Sequence, residues 1–108
     1  MPLFVSLMRL TQRGLDAIDQ SPERAALSRS RVEALGGRSV SFYATMGAYD
    51  FVQVFEMPSA EAMLEYVTIA RRDGFVDPVI LPAFEAAEWG GIVGRLPAAG
   101  KGPKDAPR

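Results

Sequence analysis

Twenty consecutive residues in the middle of the chain, Arg38 to Met57, read RSVSFYATMGAYDFVQVFEM. Val40, Phe42, Ala44 and Met46 alternate with Ser39, Ser41, Tyr43 and Thr45, which is the two-residue period of a strand. Gly47-Ala48-Tyr49 supplies a turn, and Asp50 to Met57 reads as a second strand. A gap this short allows only antiparallel pairing, because a parallel return needs a crossover of a dozen or more residues. The chain is therefore built around a central hairpin.

The flanks complete a pattern. Leu3 to Leu10 reads as a strand with Val5 and Leu7 on one face and Phe4, Met8 and Leu10 on the other, so that both faces are apolar. Thr11 offers an N-cap for a short helical piece around Gly14 to Ile18. Ser21-Pro22-Glu23 then opens a longer helix, with Ser as cap, Pro in the first turn and Glu complementing the dipole. Its inner stripe is Ala25, Ser28, Val32 and Leu35, and Gly36-Gly37 ends it. After the hairpin, Pro58-Ser59 begins a second helix carrying Ala60, Met63, Leu64, Val67 and Ala70 at helical spacing. Arg71 and Arg72 suit its last turn, and Gly74 stops it. The final strand is expected over Val79 to Glu88, with Pro78 and Pro82 marking an edge or a bulge.

Strand, helix, hairpin, helix, strand is the ferredoxin-like βαββαβ order, an α+β fold. It puts two helices on one face of a four-stranded antiparallel sheet and leaves the other face open. Strands that are apolar on both sides make an open face costly in water. The expected remedy is a second copy packed sheet to sheet, in a homodimer or a larger assembly.

Composition narrows the chemistry. The chain has 108 residues and neither Cys nor His. Thiolate nucleophiles, disulfides and iron–sulfur clusters are excluded, and the commonest general base and zinc ligand are missing. No clustered Asp/Glu loop suggests an oxygen-ligand metal site, so no metal and no cofactor is expected. The apolar Met1 to Leu10 lacks a basic start and a small-residue cleavage site, and no apolar run has the length of a membrane span, so a cytoplasmic protein without a membrane role is expected. Residues 90–108 carry a net +3 against −1 for the whole chain, and both lysines lie there. An acidic folded part with a short basic end argues against nucleic acid as a partner. That end holds many Gly and Pro residues and few large apolar ones. We therefore expect a folded domain over residues 1–89 and a flexible Gly/Pro-rich tail over 90–108.

The stretch Tyr43-Ala44-Thr45-Met46-Gly47-Ala48-Tyr49-Asp50-Phe51-Val52 resembles the motif of the GYD domain family, whose hairpin carries Gly-x-Tyr-Asp. Thr11, Gly14, the Ser21-Pro22 and Arg24 helix start, and Leu35-Gly36-Gly37 extend the resemblance over about residues 3–89. The resemblance implies a ferredoxin-like fold assembled as a dimeric α+β barrel. It implies no activity.

The candidate site residues are Tyr43, Thr45, Tyr49, Asp50 and Arg9. Tyr43 and Thr45 share an expected polar row with Ser39 and Ser41, which must meet water, a partner or a ligand. Gly47, Tyr49 and Asp50 are read as turn chemistry, or Tyr49 and Asp50 as the lining of a pocket or interface. Arg9, among apolar neighbours, snorkels to the edge, pairs with Glu56 or Asp50, or clamps an anion. Glu56, Glu85 and Glu88 are strand carboxylates in this reading, and Phe75, Phe84 and Trp89 are core and edge packing. The function expected is a homo-oligomeric module that binds a small anionic or apolar molecule or a protein partner. The alternative is a cofactor-independent isomerase, decarboxylase or monooxygenase using Tyr43, Asp50, Glu56 and Arg9.

Overall fold

Leu3–Leu10 forms strand β1, as its two apolar faces require. A short helix α1, Gln12–Asp16, follows, capped by the Thr11 side chain, which accepts the Gly14 N–H at 3.1 Å. A 3-10 turn over Ile18–Gln20 leads into α2, Ser21–Ala34. Ser21 is the first residue of α2 rather than its cap, and Pro22 sits in the first turn, where its missing N–H costs nothing. The hairpin strands are β2, Arg38–Ala44, and β3, Phe51–Glu56. Helix α3, Ala60–Asp73, is capped by Ser59 and closed by Gly74 in the left-handed conformation at φ 77°. Strand β4 is Val76–Ala83, and α4 is Ala86–Gly94. The computed structural model describes residues 1–98.

The four strands form one antiparallel sheet in the order β2-β3-β1-β4, the ferredoxin-like α+β arrangement. Phe4 and Met8 of β1, Phe55 of β3 and Pro78 of β4 face the helices and are buried. With Val32 of α2, Met63, Tyr66 and Val67 of α3, and Met57, several of them form the core. Val5 and Leu7 of β1, Val52 and Val54 of β3, and Val79 and Leu81 of β4 face the other way.

Three features differ from the sequence reading. First, a register shift between Ser39 and Ser41 sets them against Phe55 and Val54, consecutive residues of β3. The two serines therefore emerge on opposite faces, and the expected polar row is broken by a β-bulge. Second, β4 ends at Ala83, because its partner β1 begins at Leu3 and offers nothing further to pair with. Glu85 and Glu88 are not strand residues; they cap α4, the Glu85 N–H donating to Glu88 Oε1 at 3.1 Å. Third, Phe84 and Trp89 are not packed in a core but are 63% and 60% exposed. Residues 90–94, expected in a tail, are helical, while 99–108 of that tail lie outside the described residues.

Candidate functional site

The helices do not close fully on the sheet. A cleft of about 120 Å³ remains between α2, α3 and the strands. Its floor comes from β1 and β3, where Ser6 and Gln53 are register partners and so stand side by side on the helix-facing side. Both are polar, and both are buried, at 1% and 3% exposure. Burying an amide or a hydroxyl is costly unless it is bonded. Ser28 of α2 donates to Gln53 Oε1 at 3.4 Å, a long contact, and shares a short hydrogen bond with the Tyr66 hydroxyl of α3.

Burial raises the Tyr66 pKa above 10.0, partly offset by the Ser28 hydrogen bond and the positive charge of Arg31. At neutral pH the phenol therefore stays protonated and acts as a hydrogen-bonding group. Met8, Phe42 and Phe51 supply apolar wall, and the Phe42 and Phe51 rings are 5.4 Å apart between centroids.

The mouth is built from the α3–β4 connection and the start of α2. Arg31 is paired with Asp73 at 2.7 Å. The Arg24 guanidinium lies 4.3 Å from the Phe75 ring centroid and donates to the Ala17 carbonyl at 3.0 Å. The Arg13 guanidinium rests on the same ring at 4.5 Å. Among the described residues neither Arg13 nor Arg24 is in an ion pair.

The residues chosen from sequence are elsewhere. Asp50 Oδ2 accepts the Leu10 N–H at 2.7 Å, and the Asp50 N–H donates to the Met8 carbonyl. Thr45 Oγ1 donates to the Tyr49 carbonyl at 2.6 Å. Arg9 Nε donates to the Ala48 carbonyl at 2.8 Å, with the guanidinium 5.0 Å from the Tyr49 ring centroid. Arg9, Thr45, Tyr49 and Asp50 thus come together at the hairpin turn beside the end of β1, bonded mainly to backbone. Arg9 forms an ion pair with neither carboxylate considered for it, and Glu56 is paired with Arg38 at 2.9 Å. Tyr43 is opposite Val52, exposed on the open sheet face. The structure therefore does not gather Tyr43, Asp50, Glu56 and Arg9 into one cavity.

Sequence reasoning missed Ser6, Gln53 and Tyr66, and it placed Ser28 only on a packing stripe. The available signal was Ser6 between Phe4 and Met8, and Gln53 between Phe51 and Phe55. Each is a polar residue at an inward position of an apolar alternation. Among the described residues there is no cluster of three or more metal-ligating side chains, and no helix is long and apolar enough to cross a membrane.

The model of the GYD domain family matches residues 4–93. A curated relative from Thermus thermophilus, a glutamine synthetase and cystathionine beta-lyase binding protein, is 33% identical over 97 residues, covering 89% of this chain and 99% of the relative. No solved structure matches the chain.

Proposed function

The chain belongs to the GYD domain family, and from that premise we propose that it is a homo-oligomeric interaction module. In this reading its open sheet face pairs with a second copy, in a dimeric α+β barrel, and the assembly docks on protein partners. The observation that carries the reading is the open face itself. Val5 and Leu7, Val52 and Val54, and Val79 and Leu81 lie side by side across three adjacent strands, on the face away from α2 and α3 and with no helix or strand among the described residues laid over them. Soluble monomers rarely leave a contiguous apolar patch of more than a few hundred Å² in water. Covering it recovers roughly 25 cal/mol for each Å² of apolar surface removed from water. The relative's name, a binding protein for two enzymes, supports protein partners. The proposal sets the module in the cytoplasm.

Native mass spectrometry and light scattering test the self-pairing. The wild-type chain is expected as a dimer or larger species, and Val54→Lys, which puts a charge in the middle of the patch, is expected to be a folded monomer. A wild-type monomer at working concentration would sink the reading. Binding to purified glutamine synthetase from the same organism, lost in Val54→Lys, would tie partner docking to the assembled form. Binding unchanged in that variant would separate the two.

A further inference from the structure

The cleft under the helices has a chemistry that the interaction reading does not use. We propose that it is a binding site for a small organic carboxylate about the size of a single ring or a short branched chain. The apolar body of the ligand lies among Met8, Phe42 and Phe51, its charge meets Arg24, and its inner end reaches the Gln53 amide beside Ser28 and Tyr66.

Size sets the first limit. An apolar cavity of about 150 Å³ holds one benzene. At about 120 Å³ and open at its mouth, this cleft takes one ring or its aliphatic equivalent, with the head group outside the apolar section. The floor sets the second. A core built for stability alone would place apolar side chains at Ser6 and Gln53, as β3 does two residues on with the fully buried Phe55. Here two polar groups are buried side by side, and among the described residues the contact to the Gln53 oxygen, from Ser28, is long, at 3.4 Å. A few placed polar groups in an otherwise apolar lining are what orients a small ligand.

Charge sets the third limit. Asp73 neutralises Arg31, while Arg24 is held in position by Phe75 and the Ala17 carbonyl without a carboxylate partner among the described residues. A guanidinium has five N–H donors in a planar fork, and the bond to Ala17 uses one of them. A fork fixed in this way matches a carboxylate. Arg13 shares the Phe75 ring but does not line the cleft, so among the described residues Arg24 is the one unpaired guanidinium in its lining, and one free fork favours a monoanion.

All these groups come from one chain and lie on the helix-covered face of the sheet. The site therefore stands whether or not the open face pairs with a second copy.

The test is to titrate the full chain with benzoate, phenylpyruvate and α-ketoisocaproate, following backbone amide NMR shifts, with benzamide as the neutral control. The expected result is saturable binding of at least one carboxylate with a Kd below about 1 mM. The shifts should centre on Ser28, Gln53 and Tyr66, and benzamide should bind at least about tenfold more weakly. Arg24→Gln should weaken the carboxylate by about tenfold or more in a chain that still unfolds cooperatively, with only the small drop in melting temperature that loss of the Phe75 and Ala17 contacts brings. Ala25→Leu, which fills the cleft, should abolish binding of carboxylate and amide alike. No saturation by any of the three acids up to about 10 mM overturns the proposal, given the ligand efficiency expected of so small a molecule. So do shifts confined to the Val5 and Val54 face, or an affinity that Arg24→Gln does not change. Native mass spectra of the same samples report self-pairing separately, so failure of one proposal is not mistaken for failure of the other.

Discussion

The Asp50 carboxylate accepts the backbone N–H of Leu10 at 2.7 Å, across 40 residues of sequence. The same residue donates its own N–H to the Met8 carbonyl, and its carbonyl accepts the Thr45 N–H, both at 2.8 Å. One residue thus closes the β2–β3 turn and fastens it to the end of β1. The Gly-x-Tyr-Asp stretch is a fastening of the fold at least as much as a surface for a ligand.

Replacing Asp50 by Ala should therefore destabilise the protein by about 1–3 kcal/mol, since it strands the Leu10 N–H in a half-buried place. Asp50→Asn keeps an oxygen acceptor and should cost less than half as much. Urea denaturation of the three proteins checks this. An unchanged midpoint in Asp50→Ala, together with lost partner or ligand binding, would return the residue to the site proposed for it from sequence.

Gly14 is fixed by close approach. A Cβ there would meet the Phe75 carbonyl oxygen at 2.1 Å and Leu10 Cδ2 at 2.9 Å. That same carbonyl accepts the Thr11 N–H, so α1 is seated directly on the connection that carries Phe75 to the cleft mouth. Gly14→Ala should cost more than about 2 kcal/mol, as overpacking against backbone cannot relax by a rotamer change. It should also shift the NMR signals of Phe75 and Arg24. Gly90→Ala in α4, where an added Cβ meets nothing within 4 Å, should stay within about 1 kcal/mol of wild type and on the favourable side. Thermal unfolding of the pair makes the comparison.

These positions show what a single sequence reveals. Strand β1 was legible to the residue, because Leu3 to Leu10 is apolar on both faces and lies between Pro2 and the helix cap Thr11. The inner stripe of α2, Ala25, Ser28, Val32 and Leu35, was legible from spacing and faces inward. Strand β4 was not, because Pro78 and Pro82 blur its period, and its limits come from pairing along β1 rather than from its own composition. The cleft was hidden for a related reason. Ser6, Ser28, Gln53 and Tyr66 sit on four separate elements, and only the register of β1 with β3 and the seating of two helices bring them together. Arg9, Tyr49 and Asp50 attracted notice because they are neighbours near a turn, which is also where backbone most needs side-chain partners.

Tyr66 gives the protein an alkaline signature. Burial favours its neutral form, so its folded-state pKa lies above the unfolded value of 10.0. Below that pH the phenol is protonated in both states and makes no pH-dependent contribution. Above it the unfolded chain releases the proton first, so stability falls as pH rises toward the folded-state pKa. Tyr66→Phe should remove that part of the alkaline loss, while costing about 1 kcal/mol at neutral pH through the lost hydrogen bond to Ser28. Urea midpoints of both proteins from pH 7 to about pH 11 test it, with the difference expected to narrow only at the alkaline end. A difference that is constant with pH would mean the Tyr66 proton is equally held in both states.

Helix α4 has no buried residue, yet it carries Trp89 and Val93 on its surface, with Phe84 just before it and Leu96 just after. In a lone chain, Trp89→Ser should then change stability by less than about 0.5 kcal/mol, the usual range for exposed positions. If the helix is instead covered when copies assemble, the cost appears only in the assembly and depends on protein concentration, because association and folding are then linked. Unfolding Trp89→Ser and wild type at protein concentrations a hundredfold apart separates the cases. A small, concentration-independent difference sets the limit of the folded unit at the end of β4, with α4 as an appendage. A loss that grows as the protein is concentrated places α4 in the contact between copies, and Val93→Ser should then reproduce it.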